Sequence, residues 1–317
     1  YVSEIKWSTL VNIKGKYFFM EAKRYYSLDA LKFSCAICIV FIHFEILYTE
    51  YINFILRCAV PCFAMCSGFF FYKENNRYKT LQIIKKIAGI YVFATFVYAL
   101  WQYIQWRTLS PFVNRSSIIN FIVWGNNPFA MHLWYLHCYI YALLIILILE
   151  KCNRFKQVIY WMPLLLLPNF LLGSYSICFE PTKWQDCIYS RNAYFLILPY
   201  FSIGYILRNT LIKYKYKVKK NGLICIALIL SIVSYLDITF ACNGIINDLP
   251  ITSALLSVVL FVMFLLMKMK QNTLSALGSK YSLNLYIYHP LLGGILSFIL
   301  LRLGVPGGHL DYHMYGS

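Results

Sequence analysis

Apolar runs, each long enough to cross the hydrocarbon of a bilayer, constrain this chain more than any other feature. A helical span needs about 20 apolar residues to cover about 30 Å. Such runs occupy residues 28–48, 52–72, 83–105, 131–149, 158–172, 193–207, 223–238, 251–267 and 283–301. The fifth and sixth are short and hold Pro163, Pro168 and Pro199, which predicts kinked or broken helices. Arg115–Trp124 reads as a further short helix lying at the interface. Of the 317 residues 60% are hydrophobic and only 13% charged, against about 25% in a soluble domain. One soluble core could not hide so much apolar surface. The expected fold is all-α, a polytopic transmembrane helix bundle of about nine to ten spans.

A net charge of +17 would suggest nucleic acid in a soluble protein, but here the basic residues gather in alternate loops. Lys6, Lys14, Lys16, Lys23 and Arg24 precede the first span, and Lys73, Arg77, Lys79, Lys85 and Lys86 follow the second. Lys151, Arg154 and Lys156 follow the fourth, the cluster from Arg208 to Lys220 the sixth, and Lys268, Lys270 and Lys280 the eighth. The intervening loops are poor in Lys and Arg and hold Glu45, Glu50, Glu180, Asp186 and Asp248. Basic loops stay cytoplasmic, so the N-terminus is expected inside and the bilayer, not nucleic acid, is the expected partner. The chain divides into a cytoplasmic segment 1–27, a membrane domain 28–303 and an irregular Gly-containing tail 304–317. No cleavable signal is expected, because residues 1–26 are polar and basic.

Ionisable residues at membrane depth mark function by default, since each costs about 2.5–3.5 kcal/mol on insertion scales. Lys32 and His43 are eleven residues apart, about 20° from three full helical turns, so they share one face about 16 Å apart along the axis. Asp29 can pair with Lys32 one turn away. Lys32 reads equally well as a lysine snorkelling to the inner headgroups. His43 lies in CIVFIHFEIL, and a neutral imidazole there can take a proton from a hydroxyl. In MHLWYLHC, His132, Trp134 and His137 read either as an aromatic belt or as the mouth of a polar cavity. The last span carries Asn284, Tyr286, Tyr288 and His289, and Pro290 loosens the helix beside that histidine. Arg57 snorkels or meets substrate. Cys58, Cys62 and Cys66 recur every fourth residue, which suits helix packing. Cys178 and Cys187 share an external loop, where a disulfide is plausible chemistry.

The chain has no GxxxxGK[ST], GxGxxG or HExxH motif, no arginine ladder and no TVGYG filter. An ATP-driven pump and a voltage-gated channel are therefore disfavoured. His132 and His137, five apart, are poorly spaced for one metal, and no metal is expected.

Four blocks taken together resemble the integral-membrane acyltransferase 3 family, which contains bacterial O-acetyltransferases of surface glycans. YYSLDALKFSCAICIVFIHF is similar to its "LDxLR…H" first helix, with Lys32 and His43 as the basic-x10-His pair. SGFFFY from Ser67, HLWYLHCYI and SLNLYIYHPLL are similar to its second-helix end, its "LWFL" helix and its "YxYLxH" helix. Lys32 stands where the family has Arg, and Gly89 stands at the third basic position of its RRxxR loop after Lys85 and Lys86. The family commonly has a further helix where the tail 304–317 follows, so a truncated or divergent last helix is expected.

The resemblance implies an O-acyltransferase, multi-pass in the cytoplasmic membrane, that modifies a cell-envelope polysaccharide or related hydroxyl acceptor. It implies acetyl-CoA or another acyl-CoA as donor. Donor phosphates would meet Lys32, Lys85 and Lys86, and the thioester would reach His43. His43 would act as general base or carry the acyl group, with Lys32 in the catalytic pair. Asp29, Arg57, His132, Trp134, His137, Tyr286 and His289 are the candidate cavity residues. The rival reading is a non-catalytic exporter or flippase of a glycan or lipid intermediate, with His43 coupling protons. A membrane-bound O-acyltransferase of the other fold ranks lower, lacking the Asn–His pair.

Overall fold

A computed structural model describes residues 9–13, 16–20, 24–44, 49–72, 76–107, 109, 114–178, 190–214, 220–241 and 249–303. The tail 304–317 and Cys187, and with it the question of a Cys178–Cys187 disulfide, lie outside the described residues. Two strands, β1 (Thr9–Ile13) and β2 (Lys16–Met20), pair antiparallel. Every described element after them is helical.

The helices are α1 (Tyr26–Phe44), α2 (Thr49–Leu56), α3 (Ala59–Phe71), α4 (Arg77–Trp106), α5 (Arg115–Trp124) and α6 (Trp134–Lys151). They continue with α7 (Phe155–Val158), α8 (Leu166–Leu172), α9 (Leu198–Tyr214), α10 (Lys220–Leu236), α11 (Ile251–Leu266) and α12 (Thr273–Arg302). Each of the nine apolar runs contains helix, but among the described residues six helical segments are long and apolar enough to cross a membrane. These are Tyr26–His43, Tyr51–Phe71, Arg77–Trp106, Met131–Lys151, Asn221–Phe240 and Thr273–Leu300, while Met162–Leu172 and Ile251–Leu266 are shorter.

Local chemistry explains the interruptions. The second run breaks at a turn over Arg57 and Cys58, with Pro61 in the first turn of α3, where a missing N–H costs nothing. The proline-bearing fifth run divides into α7, a 3₁₀ turn Met162–Leu165 and α8. The sixth opens with a π-helical turn, Ala193–Ile197, capped by the Asn192 side chain. Helix α5 occupies the expected interval, because Asn114 caps its start and Gly125 (φ 78°) closes it in the left-handed region.

Packing fixes the bundle. Helix α1 runs against α12 and α3, α3 against α9, α4 against α6, and α10 against α11. Glycine permits the tightest crossings. A Cβ on Gly68 would lie 1.8 Å from the Phe201 carbonyl oxygen, and one on Gly204 would lie 2.0 Å from that of Met65. The cysteine stripe serves the α3–α11 contact: the Cys58 thiol donates to the Ser253 carbonyl, and the Cys62 thiol to that of Ser257. One end of the bundle gathers the start of α1 and the ends of α3, α6 and α9. There Arg77 donates to the Glu150 carbonyl, and the Tyr72 hydroxyl donates to Asn209. The opposite end gathers the end of α1, the Arg57 turn and the start of α6.

Candidate functional site

At that opposite end three histidines from three distant parts of the chain converge. The ring centroids of His43 and His289 are 5.2 Å apart, those of His132 and His289 5.6 Å, and those of His43 and His132 6.3 Å. His43 comes from the last turn of α1, His132 from the 3₁₀ turn Met131–Leu133 ahead of α6, and His289 from the middle of α12. His132 and His289 are buried.

Pro290 organises the cluster. Inside α12 it cannot donate to Tyr286, one turn back, and that carbonyl would be orphaned in an apolar interior. The Nδ1–H of His289 donates to it at 3.0 Å, and also reaches the Leu285 carbonyl at 3.0 Å. The next step of the ladder is rerouted as well. The Leu291 N–H donates to the Tyr98 hydroxyl at 3.2 Å, and that hydroxyl donates to the Ile287 carbonyl at 2.7 Å. The Ile287 carbonyl takes a second donor, the Nε2–H of His132, at 3.0 Å. Tyr286 in turn donates its hydroxyl to the His132 carbonyl. Carbonyls only accept, so the proton positions follow: His289 is protonated on Nδ1 and His132 on Nε2. The His289 Nε2 is buried and has no hydrogen-bond partner, which leaves a lone pair open within the cluster.

A cavity of about 130 Å³ opens against these rings. His43, Arg57, His132, Trp134, Arg191 and Tyr286 line it, with apolar side chains such as Ile39 and Leu249 between them. The Arg57 Nε donates to Asn53 at 3.0 Å. No carboxylate is among the lining residues, so the described wall is cationic and imidazole-rich. Such a wall can accept a proton at an imidazole and stabilise a developing oxyanion at a guanidinium. Among the described residues no three His, Cys, Asp or Glu side chains are arranged to hold a metal ion.

Five of the expected cavity residues thus meet: Arg57, His132, Trp134 and Tyr286 line the cavity beside His43, and His289 completes the histidine cluster. Two do not. His137 turns away between α4 and α6, where its Nδ1 lies 3.0 Å from the Tyr91 hydroxyl and its ring packs on Phe121. Five residues is about 140° of helical rotation, so it cannot share the face of His132. Asp29 sits at the other end of α1, paired with Lys32 at 2.7 Å and Arg24 at 3.2 Å. Lys32 therefore stands some three turns from the histidines and does not touch them. Lys85 and Lys86 are exposed on α4 at the basic end. Sequence reasoning missed Arg191, whose signal was its isolation in a loop poor in Lys and Arg, and Tyr98, which carried no signal.

A family model described as an acyltransferase domain matches residues 25–315, nearly the whole chain. No curated protein matches, and no solved structure does.

Proposed function

The chain belongs to this acyltransferase 3 family, and from that premise we propose that it is a membrane O-acyltransferase using acyl-CoA. In this reading it spans the cytoplasmic membrane about nine to ten times with its N-terminus inside. It moves an acetyl group from cytoplasmic acetyl-CoA to a hydroxyl of an envelope glycan. The observation that carries it is the separation along α1. The histidine cavity lies at one end, and Lys32 lies about 16 Å away at the basic end.

The donor's phosphates then sit among Lys32, Lys85 and Lys86, and its pantetheine arm follows α1 to the cavity. His43 takes the proton of the acceptor hydroxyl as the oxygen attacks the thioester carbonyl. The carbon–sulfur bond breaks, and the thiolate of CoA leaves with a proton returned from the imidazolium. Arg57 and Arg191 offset the charge on the tetrahedral oxygen. His289, whose ring lies beside that of His43 and whose Nε2 has no hydrogen-bond partner, keeps the proton pathway among imidazoles.

The test is acyl transfer by the purified protein in nanodiscs, with radiolabelled acetyl-CoA and an extracted glycan fraction. Label must appear in the glycan with wild type and not with His43→Ala. Glycan crossing the bilayer without label transfer would refute the reading.

A further inference from the structure

We propose that Arg208, with Tyr25, Lys32 and Arg24, forms a cradle for a phosphate group of the donor. This rests on the acyl-CoA reading above. In sequence Arg208 looked like one more loop cation; in the structure it is only 7% exposed. Its Nη1 donates to the Tyr25 hydroxyl at 2.5 Å, and its guanidinium lies over the rings of Tyr25 and Phe69 at 5.0 and 4.6 Å. Its Nε is buried with no hydrogen-bond partner, and among the described residues no carboxylate pairs with it. A buried guanidinium that meets, among the described residues, two ring π-clouds and one hydroxyl keeps donors in reserve. Its planar fork fits phosphate oxygens bidentately.

Further cations belong to the same end of α1, linked through neighbouring rings. The Lys32 ammonium lies 5.6 Å above the Phe70 ring, and the Phe69 and Phe70 rings are 5.6 Å apart. Lys32 and Arg24 share one carboxylate, Asp29. Among the described residues three cations thus gather at this end of α1, with Asp29 pairing two of them, an excess that a phosphate or pyrophosphate neutralises. The backbone has been brought close to achieve this. Gly204 and Gly68 let α9 press against α3, and Arg208 follows Gly204 by one turn, which lays it on Phe69. The cradle also sits at the right distance. From Lys32 to His43 is about 16 Å along α1, comparable to an extended pantetheine arm between its phosphate and its thioester.

The experiment measures binding to the full chain in phosphatidylcholine nanodiscs with four probes: acetyl-CoA, phosphopantetheine, pantetheine and inorganic pyrophosphate. Arg208→Gln should weaken the three phosphate-bearing probes about tenfold or more, the scale of a lost charge-assisted hydrogen bond, and leave pantetheine unchanged. Arg208→Lys should recover part of the loss. Equal weakening of pantetheine and phosphopantetheine, or no weakening at all, would overturn the cradle. If Arg208→Gln fails to fold, Lys32→Gln carries the same comparison. Pyrophosphate separates this inference from the one beneath it. Pyrophosphate bound by wild type but not by Arg208→Gln, with acetyl-CoA ignored by both, keeps an anion cradle and sinks the acyl-CoA reading. Acetyl-CoA bound and consumed equally by both proteins sinks the cradle and keeps the enzyme. Loss of pyrophosphate binding by wild type in phosphatidylglycerol nanodiscs would assign the cradle to a lipid headgroup and overturn the donor assignment.

Discussion

Tyr98→Phe tests whether the rerouted hydrogen bonds around Pro290 hold the histidine cluster together. Tyr98 is fully buried, and its ring packs edge-on against His132 at 5.0 Å. Phenylalanine keeps that ring and opens no cavity, so the substitution removes one hydroxyl and little else. Two bonds go with it: the donation to the Ile287 carbonyl and the acceptance from the Leu291 N–H. The Ile287 carbonyl still has the His132 donor, so its loss is one net bond, about 0.5–1.5 kcal/mol. The Leu291 amide is the costlier partner, since an orphaned buried donor costs about 1–3 kcal/mol. Hydrogen bonds within membrane proteins average nearer 0.6 kcal/mol, because the alternative state also finds partners. A total of about 1–3 kcal/mol is therefore expected.

The consequence for activity should exceed the consequence for stability. The Leu291 N–H can regain a partner only if α12 straightens across Pro290 toward the Ile287 carbonyl, where it competes with His132. That shift moves His289 relative to His43, and a misplacement of about 1 Å can cost about 10²-fold in rate. The measurements are thermal unfolding in detergent and initial rates of acyl transfer. Tyr103→Phe, on the same helix and 49% exposed, is the control and should change neither. An unaltered melting curve together with turnover within twofold of wild type would refute the reasoning, because the hydroxyl would then hold nothing.

His43→Ala should lower acyl transfer by about 10²–10⁴-fold in a folded protein, and a variant keeping more than about a tenth of wild-type turnover would contradict the general-base role. If His289→Ala alone is inactive, the base is the open Nε2 on α12 instead. Lys85→Ala combined with Lys86→Ala should raise the Kd for acetyl-CoA, with the difference from wild type shrinking as salt rises, because exposed charges are screened over about 8 Å at physiological ionic strength. An equal difference at all salt concentrations would remove these lysines from donor binding. Gly204→Ala places a methyl 2.0 Å from the Met65 carbonyl oxygen, so α9 must leave α3 at a cost of about 1–3 kcal/mol, read as a lower melting temperature.

What could be seen in advance was whatever depends on helical period and local capping. The shared face of Lys32 and His43 follows from eleven residues of one helix, and α1 is that helix. Helix α5 coincides with the segment read as a short helix, and Asn and Gly caps flank it in sequence. The starts of α4 and α12 were not found by apolar runs, since both helices open with polar turns. Asn76 caps the first, and a reciprocal Asn272–Ser275 pair opens the second ten residues before its apolar part begins. His137 was misplaced because a 3₁₀ turn and 140° of rotation separate it from His132, a phase that the repeated His in HLWYLH conceals. The remainder depends on partners far along the chain. That Pro290 lacks an N–H is written in the sequence. Which groups take the freed carbonyls is not: one is filled by its neighbour His289, and the next by Tyr98 and His132, 189 and 155 residues away. The proline thus makes the site by leaving acceptors that buried side-chain donors satisfy, and two of those donors are imidazoles of the cluster itself.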